Sequence, residues 1–230
     1  MNRILGVLAL LPVGTALMAL ENVNDVRVEL GSFSTADTRI HYDVTAGYDS
    51  QMLTTGNYYS TDNDSYDRGS VAVKFVWGRL YREGGLLLSA GFAAYDASFD
   101  ERDTVSGYVY SQDRQIGEFQ FGVGYGLPLG HWSYLELMAD FGVGYMQEDG
   151  LDHSQSGNWG EVETGSGAEG SIGAHVGWFA NIARHLVLGL QVGASRHAAT
   201  LHNDFDTGAS YDEYFRQSIL DYRLAVGYRF

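Results

Sequence analysis

The last fourteen residues, Gln217 to Phe230, read QSILDYRLAVGYRF, and their pattern decides the architecture of the whole chain. Every second residue back from the end gives Phe230, Tyr228, Val226, Leu224, Tyr222 and Leu220, an unbroken apolar and aromatic face with a period of two. The alternate set, Arg229, Gly227, Ala225, Arg223 and Asp221, is small or charged. A strand of this kind can rest one side against lipid and keep the other polar, over a length that crosses a bilayer when tilted.

A chain end that alternates and closes on an aromatic carboxy-terminal residue resembles the assembly signal of bacterial outer-membrane β-barrels. The resemblance implies that Tyr222, Leu224, Val226, Tyr228 and Phe230 are read by the barrel-assembly machinery. An edge strand of a soluble sandwich is the competing reading of the same stretch.

Composition fits the barrel. With 13% aromatics, 30 glycines and 2 prolines in 230 residues, the chain suits one β-rich domain. It has no cysteine, so neither a disulfide framework nor a thiolate metal site is available. Mean hydropathy is −0.16, and outside the extreme N-terminus there is no run of about twenty apolar residues of the kind a spanning helix needs. A net charge of −15 with a single lysine, Lys74, excludes nucleic acid as a partner, because nothing would neutralise phosphates.

The start of the chain reads as an export signal over residues 1–19. Met1-Asn2-Arg3 is basic, Ile4 to Leu11 is apolar, Pro12 is a breaker, and Gly14, Ala16 and Ala19 are small enough for a cleavage site. Losing Arg3 with this segment takes the net charge from −15 to −16.

Period-two stretches follow at about 38–48, 70–81, 86–95, 115–127, 132–146, 168–180, 186–199 and 217–230. The connections alternate between short turns (81–85, 128–131, 181–185) and long loops (49–69, 96–114, 147–167, 200–216). Short periplasmic turns and long outer loops are the topology of an outer-membrane barrel, which takes an even number of strands in a single bacterial chain. The expected fold is therefore all-β: an eight-stranded antiparallel up-and-down transmembrane barrel over residues 38–230. Residues 20–37, with the alternating Val26, Val28 and Leu30, are set aside as a periplasmic lead-in. A ten-stranded barrel with an extra strand from Val105 to Gln112 is the alternative.

A soluble barrel would swap the two faces. Here the small, glycine-rich set could not coat a soluble protein, and the aromatic set is too bulky for an eight-stranded interior. Tyr42, Tyr48, Trp77, Tyr125, Trp132, Tyr134, Tyr145, Trp178, Tyr222, Tyr228 and Phe230 fall near strand ends, where an interfacial aromatic girdle is expected.

The charge concentrates in the four long loops, which hold 18 acids against Arg68, Arg102, Arg114 and Arg216. Clustered carboxylates suggest calcium, and Asp62-Asn63-Asp64-Ser65-Tyr66-Asp67 and Asp204-Phe205-Asp206-Thr207-Gly208 come nearest to a calcium loop. Both miss its spacing, so solvated acidic loops are the reading preferred, with no metal site and no cofactor.

Asp43, Lys74, Glu118, Glu136, Asp140, Glu169, Asp221 and Arg223 fall on the inward face. An eight-stranded interior is just filled by side chains, so these should pair into a network; a narrow cation-selective path is the alternative. Ser195, His197 and Glu169 form the best hydrolase set, and if residue numbers on strands six and seven sum to 366, His197 faces Glu169. In a filled barrel, polar interior packing is the better reading, and no catalytic residue is assigned. His131-Trp132-Ser133 resembles the His-x-Ser of lipid A deacylases, but it lies at a periplasmic turn, with Tyr134 where that family carries asparagine.

The whole resembles the small outer-membrane barrels of the OmpA and OmpX type, without the periplasmic domain that follows the barrel in OmpA-like proteins. The resemblance implies a monomeric, non-catalytic scaffold in the outer membrane of a Gram-negative cell, in contact with lipid and lipopolysaccharide. Its acidic, tyrosine-rich loops would serve envelope stabilisation, adhesion or recognition of an extracellular ligand. A narrow porin-like channel and a lipid A-modifying enzyme are the two alternatives.

Overall fold

The computed structural model describes residues 22–46, 56–60, 68–102, 109–149, 165–204 and 210–230, with side chains over 22–34, 69–97, 113–148, 165–202 and 212–230. The export signal at 1–19, the candidate calcium loop at 62–67 and all of the second candidate, 204–208, except Asp204 lie outside the described residues.

Nine strands are present among them: β1 (Asn22–Ala46), β2 (Gly56–Ser60), β3 (Arg68–Arg79), β4 (Gly85–Arg102), β5 (Val109–Pro128), β6 (Ser133–Asp149), β7 (Gly165–Asn181), β8 (Leu186–Asp204) and β9 (Ser210–Arg229). All pair antiparallel with their neighbours, and β1 also pairs with β9. That pairing closes eight strands, β1 and β3 to β9, into an up-and-down transmembrane barrel with no free edge. β2 stands outside the ring, bonded only to the upper part of β1 through Thr38 to Tyr42.

The first strand corrects the expectation for residues 20–37. Asn22 to Gly31 pair with β3 while Asp25 to Thr35 pair with β9, so this stretch is barrel wall and not a lead-in. The barrel begins at residue 22, and 38–46 is the upward continuation of the same strand, alongside β2. The segment was misread because its three outward residues, Val26, Val28 and Leu30, are so few. The ten-stranded alternative also falls, since Val109 to Gln112 open β5 and pair with the upper end of β4.

Two of the short turns are pinned by specific bonds. Tyr81 and Gly84 exchange backbone hydrogen bonds of 3.2 and 3.0 Å, and Gly84 has a φ of +108°, a conformation that side chains avoid. At the second, the Leu129 amide bonds the Ser133 carbonyl at 2.8 Å beside Gly130, whose φ is +81°.

Outward residues define a lipid belt. On β9 these run Tyr222, Leu224, Val226 and Tyr228, continued by Phe230 just past the strand; on β3 they are Val71, Val73, Phe75 and Trp77; on β5 they are Phe119, Phe121, Val123, Tyr125 and Leu127, all exposed. A tilted crossing needs about 9–11 residues. The ring strands are longer, 12 to 25 residues, so the wall continues past the belt on the loop side. There the outward positions turn polar: Ser32 and Ser34 on β1, Asp96 on β4, Gln115 on β5, Arg196 on β8 and Arg216 on β9.

The interior inverts in step. Beside the belt it is polar. At the level of the polar collar it is apolar, with Phe33, Tyr95, Ile116, Met146, Leu201, Phe215 and Ile219 buried together. A second apolar cluster closes the turn end, with Val23, Val76, Leu80, Leu87, Tyr134, Met138, Phe179 and Val187. Tyr134, expected in the girdle, is instead wholly buried here and stacks on Phe179 with ring centroids 5.5 Å apart. The lumen is thus a charged layer held between two apolar plugs.

Candidate functional site

In much of the charged layer a long inward side chain on one strand meets an inward glycine on a neighbouring strand, although Arg27 also faces Lys74 and Gln191 faces Arg223. Arg27 pairs with Gly227, Lys74 with Gly91, Gln120 with Gly142, Asp140 with Gly122 and His175 with Gly193. The facing glycines help to leave eight converging strands room for polar chains of such length.

Near the turn end, Arg27 is fully buried and donates to both oxygens of Glu136 at 3.1 and 3.0 Å and to Asp25 at 3.2 Å, while its guanidinium lies 3.8 Å from the Phe179 ring centroid. Arg229 makes a two-pronged contact with Asp25 at 2.6 and 2.9 Å, and the Tyr134 hydroxyl sits 2.5 Å from Arg27. His175 bridges Glu136 at 3.1 Å and Asp140 at 2.5 Å through its two ring nitrogens. With a carboxyl group at each nitrogen, the ring ties Glu136 to Asp140 across the lumen.

The middle of the layer gathers around Glu29. Its Oε2 takes Lys74 at 3.4 Å, Arg223 at 3.2 Å and the Gln191 amide at 2.7 Å. Arg223 also reaches Asp221 at 2.6 Å and the Tyr95 hydroxyl at 2.8 Å. A cavity of about 20 Å³ remains, lined by Lys74, Gln120, Ser171, His175, Ser195 and Arg223 among others, with room for one water molecule.

Under the upper plug lies a second group. The register of β7 and β8 differs from the expected one by two residues: His197 faces Ser171 and Ser195 faces Gly173, a sum of 368 rather than 366. A contact along β8 and a diagonal one to β7 still join the three residues singled out from the sequence. Ser195 Oγ is 2.9 Å from His197 Nε2, and His197 Nδ1 is 2.8 Å from Glu169 Oε1. Glu118 stands beside them, accepting from Ser171 at 2.6 Å and from Gln120 at 2.6 Å.

Lys74, Glu118, Glu136, Glu169, Asp221 and Arg223 are therefore buried in one lumen, with Asp140 alongside them, half-buried. Asp43 pairs by backbone with Asp212 on the upper wall, and its side chain is outside those described. Asp25, Arg27 and Glu29 were missed with the segment that carries them, although their own alternation with Val26 and Val28 was the signal. Arg114, Glu148 and Glu213, counted from sequence among loop charges, are buried above the belt, where Arg114 meets Glu148 at 2.9 Å and Glu213 at 3.4 Å. Tyr222, Leu224, Val226 and Tyr228 form the exposed outward face of β9, continued by Phe230 just past the strand, with Tyr228 stacked on His185 at 5.2 Å.

No family model and no curated protein matches this chain. Among solved structures, the outer membrane protein OprG from Pseudomonas aeruginosa aligns over 94% of this chain and 99% of its own, at 9% identity and a TM-score of 0.48. Ail, the attachment invasion locus protein of Yersinia pestis, aligns over 90% and 99%, at 12% identity and a TM-score of 0.36.

Proposed function

We propose that the protein is a non-catalytic barrel of the outer membrane, a scaffold that holds acidic, tyrosine-rich loops at the cell surface for envelope stabilisation, adhesion or recognition. The observation that carries this reading is the closed lumen. A charged layer most of whose members are paired lies between two apolar plugs, and the space among Lys74, Gln120, His175 and Arg223 has the volume of a water molecule. A conducting path needs a continuous wetted route, and an enzyme for envelope lipids needs its nucleophile on the lipid side. Ser195 faces the lumen, and neither requirement is met by this interior.

What remains to do the work is the outside. The belt suits lipid, and the charge of the long loops suits contact with ions, lipopolysaccharide or a cationic ligand.

The test combines heat modifiability in electrophoresis with planar-bilayer conductance on one detergent-purified sample. A mobility shift on heating with no discrete current steps is expected. Cation-selective steps would replace the scaffold by the channel, and altered lipid A in expressing cells would replace it by an enzyme.

A further inference from the structure

We propose that Glu118, Glu169 and His197 form a buried site for one divalent first-row cation of the Zn²⁺ or Mn²⁺ type, set in the barrel wall beneath the upper plug. The three offer one ligand atom each, and these atoms lie within 4.8 Å of one another, so that side-chain rotations drawing them in by about 1 Å would bring them to the separations of a single ion with bonds of about 2 Å. Glu118 and His197 are fully buried and Glu169 is 5% exposed.

The first argument is charge. Glu29, Glu136 and Asp140 each have an arginine, a lysine or a doubly bonded histidine within reach. Glu118 has two neutral donors, Ser171 and Gln120, and Glu169 has His197 and the Glu118 carboxyl group itself. Two adjacent buried carboxyl groups facing a single imidazole can both hold full charge only with a further cation, because burial penalises uncompensated charge. A divalent ion with two carboxylates and a neutral imidazole is a neutral unit.

The second argument is an orphaned atom. Glu169 Oε2 is buried without a hydrogen-bond partner, and so is Oε1 of the adjacent Gln120. Asp140 Oδ1 and Glu148 Oε2 share this state elsewhere in the lumen, but Glu169 Oε2 differs in belonging to a cluster with a second carboxyl group and an imidazole, which a cation would satisfy.

The surroundings match the supporting contacts of a metal site. If Nδ1 binds the ion, Nε2 carries the proton and donates to Ser195 Oγ, now 2.9 Å away, which fixes the ring. Tyr95 packs edge-on to the same ring with centroids 5.2 Å apart. Both Glu118 oxygens already accept a hydrogen bond, which orients the carboxylate. One nitrogen and several oxygens favour zinc or manganese, and the lack of thiolates disfavours copper(I).

The chain is unfolded with chelator, refolded in detergent with Zn²⁺, passed over a sizing column and assayed for metal, with folding checked by heat modifiability. About one zinc per barrel, resistant to brief EDTA treatment, is expected, along with visible d–d absorption when Co²⁺ replaces zinc. Glu169→Gln and His197→Gln, which keep side-chain volume, should lose the retained ion, and Ser195→Ala should weaken retention about tenfold. A folded wild-type barrel that retains no zinc and gives no Co²⁺ bands overturns the site. Equal retention by folded Glu169→Gln and His197→Gln also overturns it, since the ion would then sit on the acidic loops.

Discussion

At the residue scale, the lumen is a set of exchanges between side chains that need space and glycines that give it. Gly142 illustrates the constraint: a Cβ there would meet Glu118 Oε2 at 2.0 Å and Ser171 Oγ at 2.2 Å, two atoms already committed to each other. Gly189 is similar, with the rigid Phe179 ring at 2.3 Å. Gly142→Ala and Gly189→Ala should each destabilise the folded barrel by about 1–3 kcal/mol, the usual cost of overpacking. Gly69→Ala, which would meet nothing within 4 Å, should be neutral within about 0.5 kcal/mol. Urea unfolding in detergent measures all three, and equal effects would mean that interior packing does not limit stability. The parity counted back from Phe230 already puts Arg223 and Asp221 inside. It could not say which glycine faces which acid, because that depends on register between strands, and a slip of two residues leaves every face unchanged. This is why the facing partner of His197 was misassigned while its contact with Glu169, reached diagonally, exists.

At the element scale, β1 joins two environments. Its lower half carries Val28 on the lipid belt and Glu29 in the network, and above Leu30 the outward positions become Ser32 and Ser34 while Phe33 points in. The change of hydrophobic face within one strand marks the membrane boundary. Val28 pairs with Val73 and Val226, in the middle of the belt, so Val28→Arg should cost about 2–4 kcal/mol, as cations do on the lipid face near the midplane. Ser34→Arg, above the belt, should cost about 0–1 kcal/mol. Unfolding by urea from lipid vesicles separates the two; a harmless Val28→Arg would restore the lead-in reading that the pairing of β1 now contradicts. The seven later strands of the ring were legible because each shows four or more consecutive outward apolar or small residues. β1 was obscured by its short outward run, and β2 by pairing only with the part of β1 beyond the membrane.

At the scale of the whole molecule, the question is whether the charged layer is dry. Seven carboxylates, from Asp25, Glu29, Glu118, Glu136, Asp140, Glu169 and Asp221, share the interior with Arg27, Lys74, Arg223, Arg229 and two histidines, His175 and His197. Composition could reveal an excess of acid inside, but not the plugs, since Met146, Leu201, Phe215 and Ile219 become visible as a closure only when three strands are brought level. If the plugs exclude solvent, ions cannot enter to screen the network, and its Coulombic pairing is indifferent to bulk salt. A wetted lumen behaves otherwise: between about 0.05 and 1 M salt the Debye length falls from more than 10 Å to about 3 Å, and exposed pairs weaken accordingly. The urea midpoint of the barrel in zwitterionic vesicles should therefore move little across that range in the wild type. Phe215→Ala, which removes a buried ring from the upper plug, should make the midpoint fall with salt as water and ions reach Glu169 and Glu118. A wild-type midpoint that already falls steeply would mean that the plugs leak, and would turn attention from the loops back to the lumen.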